Sequence, residues 1–158
     1  MRLFTRAVLG FVLLSGCVAV EPVQAPPASA APQQQQPASS SFSTMLNTAR
    51  AGQGLAAVRL SPQLARAAQA HATDMAANDY FSHTSQNGQS SAARATAQGY
   101  CYRSIGENIA WGQSSEAEAF AGWLASPGHY ANIMLAGATD FGLGHAGDRW
   151  VMVIGRGC

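Results

Sequence analysis

The stretch Ile105-Gly106-Glu107-Asn108-Ile109-Ala110-Trp111 decides the fold, because it alternates like a strand yet places a carboxylate among apolar residues. With a period of two, Ile105, Glu107, Ile109 and Trp111 share one side of that strand. A carboxylate on such a face is costly to bury unless it is paired or hydrogen-bonded, and an imidazole is a natural partner. Two imidazoles are at hand, His83 in Phe81-Ser82-His83-Thr84 and His129 in Ser126-Pro127-Gly128-His129-Tyr130-Ala131-Asn132-Ile133. A buried Glu with nearby His is a candidate functional site on its titration alone. The competing reading gives Glu107 a structural task, pinning loops through backbone amides while the His residues complete the network.

Working outward, Phe42, Met45, Leu46 and Ala49 have helical spacing, closed by Gly52 and Gly54. Ser61-Pro62 is an N-cap followed by proline at the first helical position. The helix it opens is expected to run to about Asp79, with Leu64, Ala67, Ala68, His71 and Met75 on one side. Asn87-Gly88 marks a turn before a shorter helix through Arg94 to Gln98. Ser115 and Glu118 form a capping box for a helix that carries Phe120, Trp123 and Leu124 inward. Ser126-Pro127-Gly128 breaks it, and a helical turn over residues 129–134 follows. Strands are expected at residues 105–111, 139–145 and 150–154, the last apolar on both faces as suits a central strand. Helices come first and strands mostly last, which predicts an α+β domain with a small antiparallel sheet under helices.

The chain has 158 residues, enough for one domain, and only 11% are charged. Nine basic residues, all Arg, balance eight acids. Such a thinly charged chain excludes nucleic acid as a partner, since phosphate contacts need clustered positive charge. Residues 1–16 read as an export signal, with Arg2 and Arg6 ahead of an apolar run at 7–14 that is too short to span a membrane. Leu14-Ser15-Gly16-Cys17 resembles a bacterial lipobox, which implies cleavage before Cys17, acylation of that Cys and a membrane anchor. Val18 in place of Asp implies the outer membrane. Ordinary cleavage at Ala28-Ser29-Ala30 is the alternative; both mean export. Residues 17–41, rich in Pro, Gln, Ala and Ser, read as a tether that spans roughly 27 Å when flexible, leaving 42–158 as the domain.

In their order, the Phe81–Thr84, Gly106–Ala110 and Ser126–Ile133 strings, followed by Gly-rich closing strands, resemble the CAP superfamily of cysteine-rich secretory, antigen 5 and pathogenesis-related proteins. This is the SCP domain, and the likeness is to its short bacterial branch. The resemblance implies an α-β-α sandwich whose cavity is lined by two His and two acidic residues. His83, Glu107 and His129 match three of them. The fourth position, three residues after Trp123, holds Ser126, so the tetrad is incomplete and metal affinity or hydrolysis through it is weakened. What remains of it implies a ligand cavity of His83, Glu107, His129 and Ser126, with a divalent metal such as zinc held by His83 and His129.

The residues constrain the chemistry further. A zinc site needs three or four donors at fixed geometry, and neither HExxH nor CxxC occurs here. Ser126 and Ser82 lie near His129 and His83 but without a GxSxG elbow. With Cys17 assigned to the anchor, Cys101 and Cys158 form an even pair, which in an exported domain reads as a disulfide worth about 4 kcal/mol. A nucleophilic Cys101 is the rival reading. His71 reads as a helix-face or core residue and His145 as a half-exposed strand end. Trp111, Trp123 and Trp150 read as core or cavity wall. The expected protein is a periplasmic module, anchored at the outer membrane, that binds or scaffolds a lipid, cell-wall or protein ligand. The alternative is a metal-assisted, peptidase-like hydrolase using His83, Glu107 and His129.

Overall fold

The structure, a computed structural model, describes residues 38–158. The export signal, Cys17 and the tether up to residue 37 lie outside the described residues. The chain order is α1 (Ala38–Ala51), β1 (Arg59–Leu60), α2 (Pro62–Ala77), α3 (Ser91–Ala97), β2 (Tyr102–Trp111), α4 (Glu116–Ala125), α5 (Pro127–Ile133), β3 (Asp140–Ala146) and β4 (Arg149–Gly157). The fold is α+β, as expected. The sheet order is β1-β3-β4-β2, with β4 antiparallel to both of its neighbours.

The sheet is nevertheless mixed, because β1 pairs parallel with β3 through Arg59 opposite Asp140 and Leu60 opposite Phe141. Two residues carry no readable period, so β1 has no signature in the sequence. Several boundaries also shift, with β4 running on to Gly157, three residues past its expected end. Helix α1 begins at Ala38, inside the stretch read as tether, because its Ser-rich first turn has no apolar periodicity. Helix α5 starts at Pro127, where the sequence reading placed a break, since proline is at home in a first turn. Strand β2 starts at Tyr102, three residues ahead of the alternating run.

The expected caps form at Ser61 and Ser115, although Glu118 reaches back to the Ser114 N–H, and Ser90 adds a cap that the sequence reading did not include. Ser61, Ser90 and Ser115 each accept a hydrogen bond from the backbone N–H three residues on, at Leu64, Ala93 and Glu118. Alternation along β4 then divides the interior into two layers. Trp150, Met152 and Ile154 pack with Phe42, Leu46, Phe120, Trp123 and Ile133, from α1, α4 and α5. Val151 and Val153 pack with Leu64, Ala68, Ala72, Met75 and Ala95, from α2 and α3. The result is a helix–sheet–helix sandwich.

Helix α2 lies almost flush on β3, and Gly142 and Gly144 permit this. A Cβ at Gly142 would come within 2.1 Å of the Leu64 carbonyl carbon, and one at Gly144 within 2.3 Å of the Gln69 nitrogen. Both obstacles are backbone, so neither can swing aside. On the other side, buried Arg50 donates to the carbonyls of Ala56, Ile133 and Leu135, tying α1 to the end of α5. Cys101 and Cys158 form a disulfide with their Cα atoms 5.5 Å apart, joining the chain just before β2 to the residue after β4.

Trp123 and Trp150 are buried as expected, but Trp111 is 55% exposed. It ends β2 beyond the helices, with Arg149 over its ring at 4.1 Å and its Nε1 donating to Asp148. His145 is exposed rather than half-exposed and stacks on Trp150 with ring centroids 3.7 Å apart.

Candidate functional site at the edge strand

Strand β2 is the last strand of the sheet, with β4 on one side only. An uncovered edge presents unpaired backbone groups, and this one is closed by side chains. Asn132 of α5 donates to the Glu107 carbonyl at 2.9 Å, and Trp123 of α4 donates its Nε1–H to the Ile109 carbonyl at 3.0 Å. The Asn108 side chain donates to the His129 carbonyl at 3.0 Å and accepts from Asn132 at 2.9 Å. Gly106 leaves room for this arrangement, since a Cβ there would sit 2.6 Å from the Asn132 Oδ1. The two sequence strings thus occur together because each completes the other's hydrogen bonds.

Alternation sends Asn108 toward α5 and Glu107 toward α2 and α3. Glu107 is 6% exposed and both of its carboxylate oxygens are held. Oε1 lies 2.9 Å from the His83 Nδ1, and Oε2 accepts from the Arg94 Nη2 at 2.6 Å. Arg94, itself buried, continues to the carbonyls of His83 at 3.1 Å and Gln89 at 2.8 Å and to the Ser85 hydroxyl at 3.0 Å. A buried ion pair is tolerable only when its remaining donors are satisfied, and this one is woven into the 82–90 loop. Side chains hold the Glu107 carboxylate, and Arg94 makes the backbone contacts to the loop.

Sequence reasoning missed Arg94. Its signal was a lone cation beside Ala95 on the inward side of an alanine-rich helix, facing a carboxylate that required a partner.

His83 and His129 reach the β2 edge from the two helical layers. His83 is exposed, and its ring orientation is fixed by Glu107. His129 is half-buried, and its imidazole is held below its ordinary value first by burial and then by the neighbouring His83. Ser126 is half-buried where α4 hands over to α5. Its hydrogen bonds are backbone ones, to Trp123 and Tyr130, so it does not join the other three.

The residues present do not fit a closed zinc site. Among the described residues no group of three or more His, Cys, Asp or Glu is placed to hold a metal ion, and Glu107 has both oxygens engaged.

Beneath this site lies a second polar cluster. His71 on α2 is 1% exposed, with Nε2 at 2.8 Å from the Ser82 carbonyl and Nδ1 at 3.4 Å from the Ser85 Oγ. Burial, then the charge of Arg94, holds its imidazole below the ordinary value. Tyr80 donates to Asp74 and lies beside Ser85. His71, Ser85 and Arg94 line a cavity of about 230 Å³ between α2, α3 and the loop. At the opposite end of the sheet, a groove of about 960 Å³ runs past Tyr100, Asp140 and the disulfide. There Tyr100 and Arg59 both donate to Asp140, at 3.0 and 2.8 Å.

The model of the cysteine-rich secretory protein family, CAP, matches residues 44–153. The uncharacterized protein YkwD of Bacillus subtilis is 33% identical over 108 residues, which is 67% of this chain and 42% of that protein. The uncharacterized membrane protein YlbC of the same organism is 33% identical over 100 residues, 63% of this chain and 29% of its own length. The chain therefore spans less than half the length of these curated relatives. Among solved structures, an extracellular SCP-domain protein of Bacillus anthracis superposes with a TM-score of 0.71 at 29% identity, covering 74% of this chain and 39% of that one. An outer surface protein of Borrelia burgdorferi shares the fold, with a TM-score of 0.69 at 17% identity, covering 76% and 92%.

Proposed function

This chain belongs to the cysteine-rich secretory protein (CAP) family, and on that premise we propose that it is an exported module that binds or scaffolds a ligand in the cell envelope. The extracellular and outer-surface settings of its Bacillus anthracis and Borrelia structural relatives support export. In this reading the lipobox-like Leu14–Cys17 segment supplies a lipid anchor at Cys17, the proline-rich segment is the tether, and the outer membrane is the site.

One observation carries the choice of binding over hydrolysis at the β2 edge. Glu107 is buried with Arg94 on one oxygen and His83 on the other, so a molecule at the surface meets the His83 imidazole before the carboxylate. Glu107 positions His83, and His83 with His129 presents two imidazoles at the surface. Lipid, cell-wall fragment or partner protein is the ligand class.

Two experiments test the reading. Cys17→Ser is expected to release the protein from the membrane fraction and abolish metabolic labelling with a fatty acid; retention without acylation removes the anchor. Co-sedimentation of the full chain with purified peptidoglycan, and separately with lipid vesicles, is expected to retain it in one arm. His83→Ala with His129→Ala should then weaken retention about 10-fold, the loss of about 1.4 kcal/mol. Retention unchanged in the double variant removes the β2 edge as the binding surface. Zinc titration of the same variants closes the metal question, and His-dependent zinc binding together with zinc-dependent peptide turnover would revive the hydrolase.

A further inference from the structure

The cavity beneath the β2 edge has no part in that reading, and its chemistry differs. Ser82 offers His71 a carbonyl, which only accepts. The His71 Nε2 therefore carries the ring hydrogen, and Nδ1 turns its lone pair toward the Ser85 Oγ. The result is a serine facing a neutral imidazole whose far nitrogen is anchored, the arrangement that activates a hydroxyl for attack. The 3.4 Å separation is long for a finished hydrogen bond, as catalytic bonds often are before substrate arrives.

Two further groups adjoin the hydroxyl. Arg94 donates from its Nη1 to the same Oγ at 3.0 Å, so a cation stabilises the alkoxide character that Oγ gains as its proton leaves. Tyr80 also borders the hydroxyl, but it gives its proton to Asp74 and its phenolic oxygen is far less basic than an imidazole.

We propose that Ser85 and His71 form a nucleophile–base pair that hydrolyses short acyl esters of polar alcohols in this cavity. The volume, about 230 Å³, suits a small acyl group and part of its alcohol. Asp74, Asn87, Gln89 and Gln98 on the rim favour a polar leaving group. In the first step the Oγ–carbonyl carbon bond forms while the hydroxyl proton passes to His71 Nδ1. The ester C–O bond then breaks, and the departing alkoxide takes that proton. Water, activated by the same nitrogen, cleaves the acyl-serine and restores the hydroxyl.

The test uses the full chain purified in detergent, treated with a fluorophosphonate and mapped by peptide mass spectrometry. Ser85 Oγ should displace fluoride and carry the phosphonate. His71→Gln should slow the labelling about 100-fold or more, whereas His145→Ala, whose ring stacks on Trp150 on the opposite face of the sheet, should leave it unchanged. Mapping the unaltered chain needs no variant, so a His71 variant that fails to fold does not shield the idea. Hydrolysis of 4-nitrophenyl acetate, blocked in step with phosphonylation of Ser85, is expected as the second readout. An unlabelled Ser85 in a mixture where a control serine hydrolase reacts overturns the proposal. So does labelling of Ser85 at equal rates in the unaltered chain and His71→Gln. Neither result bears on ligand retention at the β2 edge.

Discussion

On the face of the sheet covered by α1, α4 and α5, Phe42 meets Phe120, Phe141 and Trp123 with ring centroids 5.5, 5.8 and 6.2 Å apart. On the face covered by α2 and α3, an alanine-rich helix lies on two glycines, and a glutamate–arginine pair is buried beside it. The first face gains its stability from apolar area and ring contacts, which tolerate small shifts. The second combines a close backbone fit with charged hydrogen bonds, which tolerate almost none. Every group with acid–base chemistry in the candidate sites except His129 belongs to the second face or the loop beside it. The apolar side holds the scaffold still, and the polar side spends its precision on placing imidazoles.

Breaking the ion pair should expose this difference most strongly. Glu107→Ala leaves Arg94 buried without its carboxylate and is expected to cost about 4 kcal/mol in urea unfolding. Pairing it with Arg94→Met should recover part of that loss; simple additivity of the two changes would show that the pair is not coupled. Gly144→Ala tests the close fit, because its new methyl meets the α2 backbone at Gln69. A cost of about 3 kcal/mol is expected, and a silent substitution would mean the helix can lift away freely. Asn132→Ala unpairs the Glu107 carbonyl and the Asn108 side chain at the edge. It should cost about 2 kcal/mol and loosen amide-exchange protection along β2 alone.

The smallest effect is one of pH. His71 and His129 both sit below the ordinary imidazole value of 6.5 in the fold, so the unfolded chain takes up their protons first as pH falls. Their contribution is complete above about pH 6.5 and is lost as pH falls from there toward their folded values. The urea midpoint is expected to drop between pH 7 and 5, less steeply in His71→Gln. The penalty of Phe42→Ala, on the apolar face, should be the same at both pH values. A pH-independent midpoint would remove the polarity contrast between the faces.

Much of this architecture is legible in residue order. Serine caps, the proline that opens α2 and the alternation of 105–111 announce their elements because each is a local rule of backbone hydrogen bonding. The separation of Glu107 from Asn108 onto opposite faces follows from strand period alone. Arg94 and Ser85 were not legible, because their roles depend on a partner 13 residues away in one case and on a helix 14 residues away in the other. The same holds for β1, whose two residues pair with a strand some 80 positions later. Trp111 misled for a related reason: its strand runs past the helices that cover the rest.

By itself the sequence determined the α+β class, the family strings, the cysteine pair and the inward carboxylate, since each rests on short-range spacing or on composition. Tertiary structure alone decided what meets that carboxylate. It set Arg94 rather than backbone amides against Glu107, closed the β2 edge with Asn132 and Trp123, and turned the His71 lone pair onto Ser85. The His71 contact depends on how closely α2 approaches the sheet, a distance governed by glycines on β3, and the other two on helices and strands brought together from distant parts of the chain.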